Sequence, residues 1–130
     1  MISESDIEEH LPVSHDPVSR HFFNGFIRLH ILYHAAKSPI YGAEITQELV
    51  RHGYPISQGT LYPTLHLLEQ LGYLRSRRQA VRGRWRMYYR ATRAGRKVLA
   101  DAHQKLLELV AEVVDDRDQP FQAMRKKRRS

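Results

Sequence analysis

The sequence predicts a mainly α-helical chain with one small β-hairpin: a winged helix-turn-helix followed by a C-terminal dimerisation helix. Three observations point there. Between Ile56 and Arg96, a polar helix start (Ser57, Gln58, Gly59, Thr60) leads into a leucine-periodic helix that stops at Gly72. Two short strand-like runs follow, joined by a loop at Gly83. From Arg75 to Lys97 there are ten Arg or Lys residues and no Asp or Glu. A helix followed by a basic hairpin is how a winged helix holds DNA, helix in the major groove and wing on the backbone.

The elements can be justified in order. Residues 1–16 are polar and acidic, with Pro12 and Pro17 as breakers, and read as a weakly ordered leader. From Val18 to Lys37, Phe22, Phe26, Leu29 and Tyr33 recur at helical spacing beside a second apolar row of Phe23, Ile27 and Ile31. Such a wide stripe suits a central core helix, or one with a row, including Phe22 and Phe26, facing a second subunit. Ser38-Pro39 ends this helix. Tyr41 to His52 forms a second, short helix stopped by Gly53. Ser57 caps the third, whose buried face is Leu61, Leu65, Leu68 and Leu71; Pro63 predicts an irregular or 3₁₀ start.

Tyr73 to Arg78 and Trp85 to Arg90 are the hairpin strands, with Gln79 to Gly83 as the loop. In the second strand Trp85, Met87 and Tyr89 share one face, expected inward, while Arg84, Arg86, Tyr88 and Arg90 share the other. Thr92 caps a final helix in which Leu99, Ala102, Leu106, Leu109 and Val113 repeat at three-four spacing, a heptad seam that suits a dimer interface. The organisation expected is thus leader 1–16, winged domain 17–91, dimerisation helix 92–117 and a basic disordered tail 118–130.

Composition limits the alternatives. A chain of 130 residues, 42% hydrophobic, suits one domain. With no cysteine, disulfides and thiolate metal sites are excluded. No apolar run approaches a membrane span and no signal-peptide core precedes the domain, which predicts a cytoplasmic protein. The net charge of +7 is concentrated at residues 75–97 and in the tail Arg125–Arg129, whereas the leader and the last helix are acidic. Charge focused in this way attracts a polyanion.

The fragments YGAEI, GTLYPTLHLLEQLGYL and GRWRMYYRATRAGRKVL, in this order over roughly Leu29 to Leu107, resemble the PadR family of bacterial transcriptional regulators. The resemblance rests on Tyr41, Gly42, Glu44, Ile45, Gly59 to Pro63, Leu65, Leu68, Glu69, Gly72, Gly83, Arg84, Tyr88, Tyr89, Thr92, Gly95 and Arg96. It implies a winged helix-turn-helix, a dimerisation helix, repression of a neighbouring operon, and in many members release of DNA by a small aromatic or cationic effector. One helix follows the wing, as in the short-form class. That helix lacks the tryptophan with which some drug-binding relatives sandwich flat ligands, and the leader is longer than a minimal member needs.

Candidate DNA contacts follow from the motif. Ser57, Gln58, Thr60, Tyr62, Pro63 and His66 lie at the start or on the polar side of the third helix, where Gln can read adenine and hydroxyls can reach phosphate. Arg82, Arg84 and Arg86 sit at the wing, with Arg75, Arg77 and Arg78 as second-rank candidates; Lys37 and Tyr41 flank the second helix. Trp85 is expected to anchor the wing in the core, and Glu44 and Glu69 to form structural ion pairs. His30 and His34 have a metal-competent spacing, but no HExxH pattern accompanies them and no metal or other cofactor is expected. No catalytic constellation is present, so no enzyme is predicted. The expected partners are a pseudo-palindromic DNA operator, a second copy of the chain and a possible small-molecule effector; the alternative is a winged-helix interaction module for an acidic protein.

Overall fold

The computed structural model of the protein describes residues 16–117. The tail, and the leader apart from Asp16, lie outside the described residues. Asp16 belongs to the fold rather than to the leader. It caps α1 (Pro17–Lys37), accepting from the N–H groups of Val18 at 3.3 Å and Ser19 at 3.1 Å, with Pro17 in the first turn. These bonds hold its carboxyl below the usual carboxylate range, the Ser19 hydroxyl contributing most.

After α1, Ser38 turns extended ahead of Pro39 and the chain enters a two-residue strand, β1 (Ile40–Tyr41). Helix α2 (Gly42–Arg51) opens with the Glu44 carboxylate accepting from the Tyr41 N–H at 3.4 Å. Gly53, at φ +85°, takes the chain out of α2.

Helix α3 (Gln58–Gln70) is capped by Ser57, whose Oγ accepts from the Thr60 N–H at 3.3 Å. The irregular start expected from Pro63 is not found: α3 is α-helical from Gln58, with one three-residue bond from the Thr60 N–H to the Ser57 carbonyl. The carbonyl that Pro63 cannot serve belongs to Gly59, an exposed residue, where water can take the donor's place. Leu71 also departs from expectation. It caps the C-terminus of α3 and is 53% exposed, because the chain leaves the helix there and Gly72 follows at φ +83°.

Strands β2 (Leu74–Val81) and β3 (Arg84–Ala91) pair antiparallel from Leu74↔Ala91 to Val81↔Arg84, and β1 pairs with β3, giving the order β1-β3-β2. The hairpin loop is two residues, not the five expected. Arg82 and Gly83 both have positive φ, +52° and +79°, the signature of a type I′ turn that suits strand twist. Thr92 then caps α4 (Arg93–Arg117), accepting from the Gly95 N–H at 3.0 Å.

The compact unit ending at Leu99 has a single core. α1 supplies Ile27, Ile31, Leu32 and Ala35; α2 supplies Ile45 and Leu49; α3 supplies Leu61, Leu65 and Leu68; the sheet supplies Ile40, Leu74, Tyr89 and Ala91. The Ile27/Ile31 row of α1 therefore faces the core. Phe22 on the neighbouring row is 52% exposed, while Phe26 is half-buried between Tyr54 and His30. Val98 and Leu99 pack on the same core, so Leu99, expected at a dimer seam, is partly used within its own domain. The second unit comprises the turns of α4 from Ala100 onward, where Leu106, Leu107, Leu109, Val110, Val113 and Val114 are 41–54% exposed and Ala102 is half-buried.

Two features of this fold lead to measurable outcomes. A Cβ at Gly95 would overlap the backbone carbonyl oxygen of Tyr73, whereas one at Gly25, in the middle of α1, meets nothing within 4 Å. Gly95→Ala should cost on the order of 2 kcal/mol or more in chemical denaturation, because backbone must move. Gly25→Ala should instead stabilise by up to about 1 kcal/mol. The second feature is His30, which packs at a tilt between Phe26 at 4.2 Å and His52 at 4.6 Å and has its Nδ1 buried without a hydrogen-bond partner. Burial, and then the neighbouring His52 and His34, lower its pKa from the ordinary 6.5. Its unfolded form therefore takes up a proton first. The stability it contributes is present above pH 6.5 and is lost as pH falls through the lower folded value. His30→Phe should flatten the acid limb of a denaturation-midpoint profile; an unchanged limb would assign it to other groups.

Candidate nucleic-acid interface

Strand alternation sorts the hairpin into two faces. Arg75, Arg77, Gln79 and Val81 of β2 lie opposite Arg90, Tyr88, Arg86 and Arg84 of β3, and Tyr41 of β1 opposite Tyr88 extends this face. It holds five arginines. Arg75 and Arg90 face each other directly, a like-charge pair that costs stability in the isolated sheet. Among the described residues no arginine of the wing is ion-paired with an acid. The charges of this face thus have no acid among the described residues to offset them.

At the base of this face Tyr41 is the hub. Its ring meets Tyr88 edge-on at 5.4 Å and carries the Arg86 guanidinium at 4.4 Å. The next residue, Gly42, lies against Tyr62 of α3; a Cβ there would come within 2.8 Å of the Tyr62 hydroxyl. Tyr41 and Arg86 thus meet from β1 and β3, and Tyr62 of α3 lies against the neighbouring Gly42. Tyr62 remains 39% exposed, and Ser57, Gln58 and His66 are exposed along α3, with Pro63 half-buried inside it. Lys37 stands apart at the end of α1, its ammonium donating to the Tyr33 hydroxyl at 3.2 Å. Arg82 and Arg84 are exposed at the hairpin tip.

Three expectations are corrected. Thr60 is not on the outer side of α3. It is 2% exposed, its hydroxyl lies 3.2 Å from the Ser57 hydroxyl and its carbonyl accepts from the Thr64 hydroxyl at 2.9 Å. Its place beside Leu61 in the buried stripe makes it a structural residue of the helix start. Glu44 and Glu69 work through hydrogen bonds: Glu44 at the α2 cap, and Glu69 accepting from the Ser76 N–H at 2.8 Å and the Ser76 hydroxyl at 2.5 Å, which ties α3 to β2. Trp85 does not anchor the wing. It is 65% exposed, and Met87 is 38% exposed, because the short turn extends the strands past the last core residue on that face. Tyr89 takes the inward role at 3% exposure, and burial raises its phenol pKa, while Tyr88 stays half-buried on the arginine face. The contribution of Gly42 to seating Tyr62 was not legible from spacing, since the two residues meet only through tertiary packing.

Comparison with known proteins gives a consistent picture. Residues 31–101 match the Transcriptional regulator PadR-like family. The chain is 54% identical over 95 residues to the transcriptional regulator Rv3488 of Mycobacterium tuberculosis, covering 73% of this chain and 89% of that protein. Among solved structures, a PadR-family regulator from Eggerthella lenta is 30% identical with a TM-score of 0.63, covering 73% of this chain and 84% of its own. A PadR-like regulator from Bacillus cereus is 27% identical with a TM-score of 0.66, covering 76% and 97%. These relatives are transcriptional regulators, not enzymes. With the winged helix-turn-helix and the matched segment together, the chain belongs to the PadR-like family of transcriptional regulators.

Proposed function

We propose that this regulator binds duplex DNA as a homodimer and acts as a cytoplasmic repressor, with α3 in the major groove and the wing on the flanking backbone. The observation that carries this reading is the arginine face of the hairpin: five arginines on one surface, one directly opposed pair, and no acid among the described residues to neutralise them. A row of phosphates would relieve that repulsion and release counterions. Gln58 and Ser57 at the exposed start of α3, with Tyr62 and His66 further along, supply the donors and acceptors that groove reading requires. Arg82, Arg84 and Arg86 grip the backbone, with Lys37 and Tyr41 at the α2 side.

The dimer reading is supported by α4. Six large side chains of its second unit are each 41–54% exposed, more apolar surface than one helix keeps in water without a partner. A two-fold dimer predicts a pseudo-palindromic operator with half-sites about 34–36 Å apart, or a multiple of that. An effector that re-seats this seam would release DNA. No helix among the described residues is long and apolar enough to cross a membrane.

Arg84→Ala should weaken binding to all duplexes alike and reduce the slope of log affinity against log salt by about 1, read by anisotropy across a salt series. Arg75→Glu should weaken DNA binding yet stabilise the free domain by about 0.5 kcal/mol, since it turns the pair with Arg90 into an attractive one. If both variants bind DNA as the parent does, the arginine face has another partner, and an acidic protein surface becomes the better reading. Leu109→Glu should shift sedimentation from dimer to monomer; a wild-type sedimentation coefficient would remove α4 from the dimer interface.

A further inference from the structure

The face of the hairpin opposite the arginines has no role in the reading above. Its base is core, carrying Leu74, Tyr89 and Ala91, but its outer half is not. Trp85 lies four residues beyond Tyr89, about 13 Å further along the strand. The residue opposite it in register is Ala80, too small to cover an indole. The diagonal neighbour Arg78 lays its guanidinium 4.6 Å from the ring centroid, and the indole is still 65% exposed. The same face carries Ser76, bonded to Glu69 of α3, so the ring lies on the side of the sheet to which α3 is attached. A rigid aromatic plate with a cation stacked on it, on a hairpin without acids, complements a polyanion that also offers apolar walls.

We propose that Trp85 is a DNA-contacting residue, its indole packing on the sugar and base edges of the minor groove while Arg78 meets the adjoining phosphate. This rests on the DNA reading above and adds to it a contact that is not electrostatic. Apolar side chains wedged at a groove wall are a known means by which proteins grip duplex DNA without reading its sequence. The arginines of the opposite face would draw the hairpin to the backbone; Trp85 would then fix its depth.

The chain contains one tryptophan, so its emission reports this position alone. The full chain is titrated with a dye-labelled, mixed-sequence duplex of about 30 base pairs at about 50 mM salt, following dye anisotropy and acrylamide quenching of Trp85 together. The expected result is that anisotropy rises and Trp85 becomes shielded as the complex forms. Trp85→Ala, which removes an exposed side chain and should keep the parent's thermal midpoint, should bind about tenfold more weakly. Trp85→Arg should not restore the affinity, although it adds a charge. A complex in which Trp85 stays as quenchable as in the free protein, or tighter binding by Trp85→Arg, overturns the contact and leaves the DNA reading standing. No rise in anisotropy overturns both. Shielding that grows with protein concentration before DNA is added would show the ring covered by a second copy, and would also overturn the proposal.

Discussion

The register of one hairpin sets most of what this domain presents to its surroundings. Because Arg82 and Gly83 close the turn in two residues, β2 and β3 stay paired to Val81↔Arg84, and every side chain of the wing is committed to a face. A slip of one residue would put Tyr89 in water and an arginine into the core. The turn itself is under tension, since an arginine at φ +52° costs on the order of 1 kcal/mol relative to glycine there. The gain is position: a cation at the furthest point of the wing.

The rest of the fold holds that hairpin in place. Two strands alone would be marginal, and β1 adds two residues to them. The helices do more. Leu74, Tyr89 and Ala91 join the core that α1, α2 and α3 share, and Glu69 reaches from α3 to Ser76. The apolar load sits at the base of the wing, while the charge lies along one face and at the tip. That division lets a small domain tolerate Arg75 opposite Arg90: the pair lies on the face away from the core, where water and salt screen it.

Much of this was legible in the sequence, for identifiable reasons. Helix starts and stops were readable where a residue type has a local job: Ser57 and Thr92 as caps, Gly53 and Gly72 as exits. The inward position of Tyr89 and the outward position of the arginine row followed from two-residue alternation, which is a property of the backbone. The failures have a common cause. Trp85 and Leu71 are apolar side chains with the right period, yet they lie beyond the reach of the core, and periodicity says nothing about where a core ends. Thr60 departs in the opposite direction: its polar type suggests an outer position, yet its hydroxyl is satisfied within the helix start. The family resemblance set the overall architecture; it did not indicate which members of the motif were buried.

One junction ties the end of α3 and the base of the wing to the first turn of α4. The loop from α3 to β2 accepts hydrogen bonds from the first residue after the wing: the Thr92 N–H donates to the Tyr73 carbonyl at 3.0 Å and the Thr92 hydroxyl to the Gly72 carbonyl at 2.5 Å. One turn into α4, Gly95 lies so close to that Tyr73 carbonyl that no side chain fits between them. The end of α3, the base of the wing and the first turn of α4 are thus held together by the Thr92 hydroxyl and by close backbone approach of Gly95 to Tyr73. A rotation of the first turn of α4 cannot leave Tyr73 where it is, and Tyr73 is bonded in turn to the Leu68 carbonyl of α3. Close-packed backbone transmits small shifts instead of damping them. A side chain at Gly95 would therefore disturb the end of α3 and the base of the wing together.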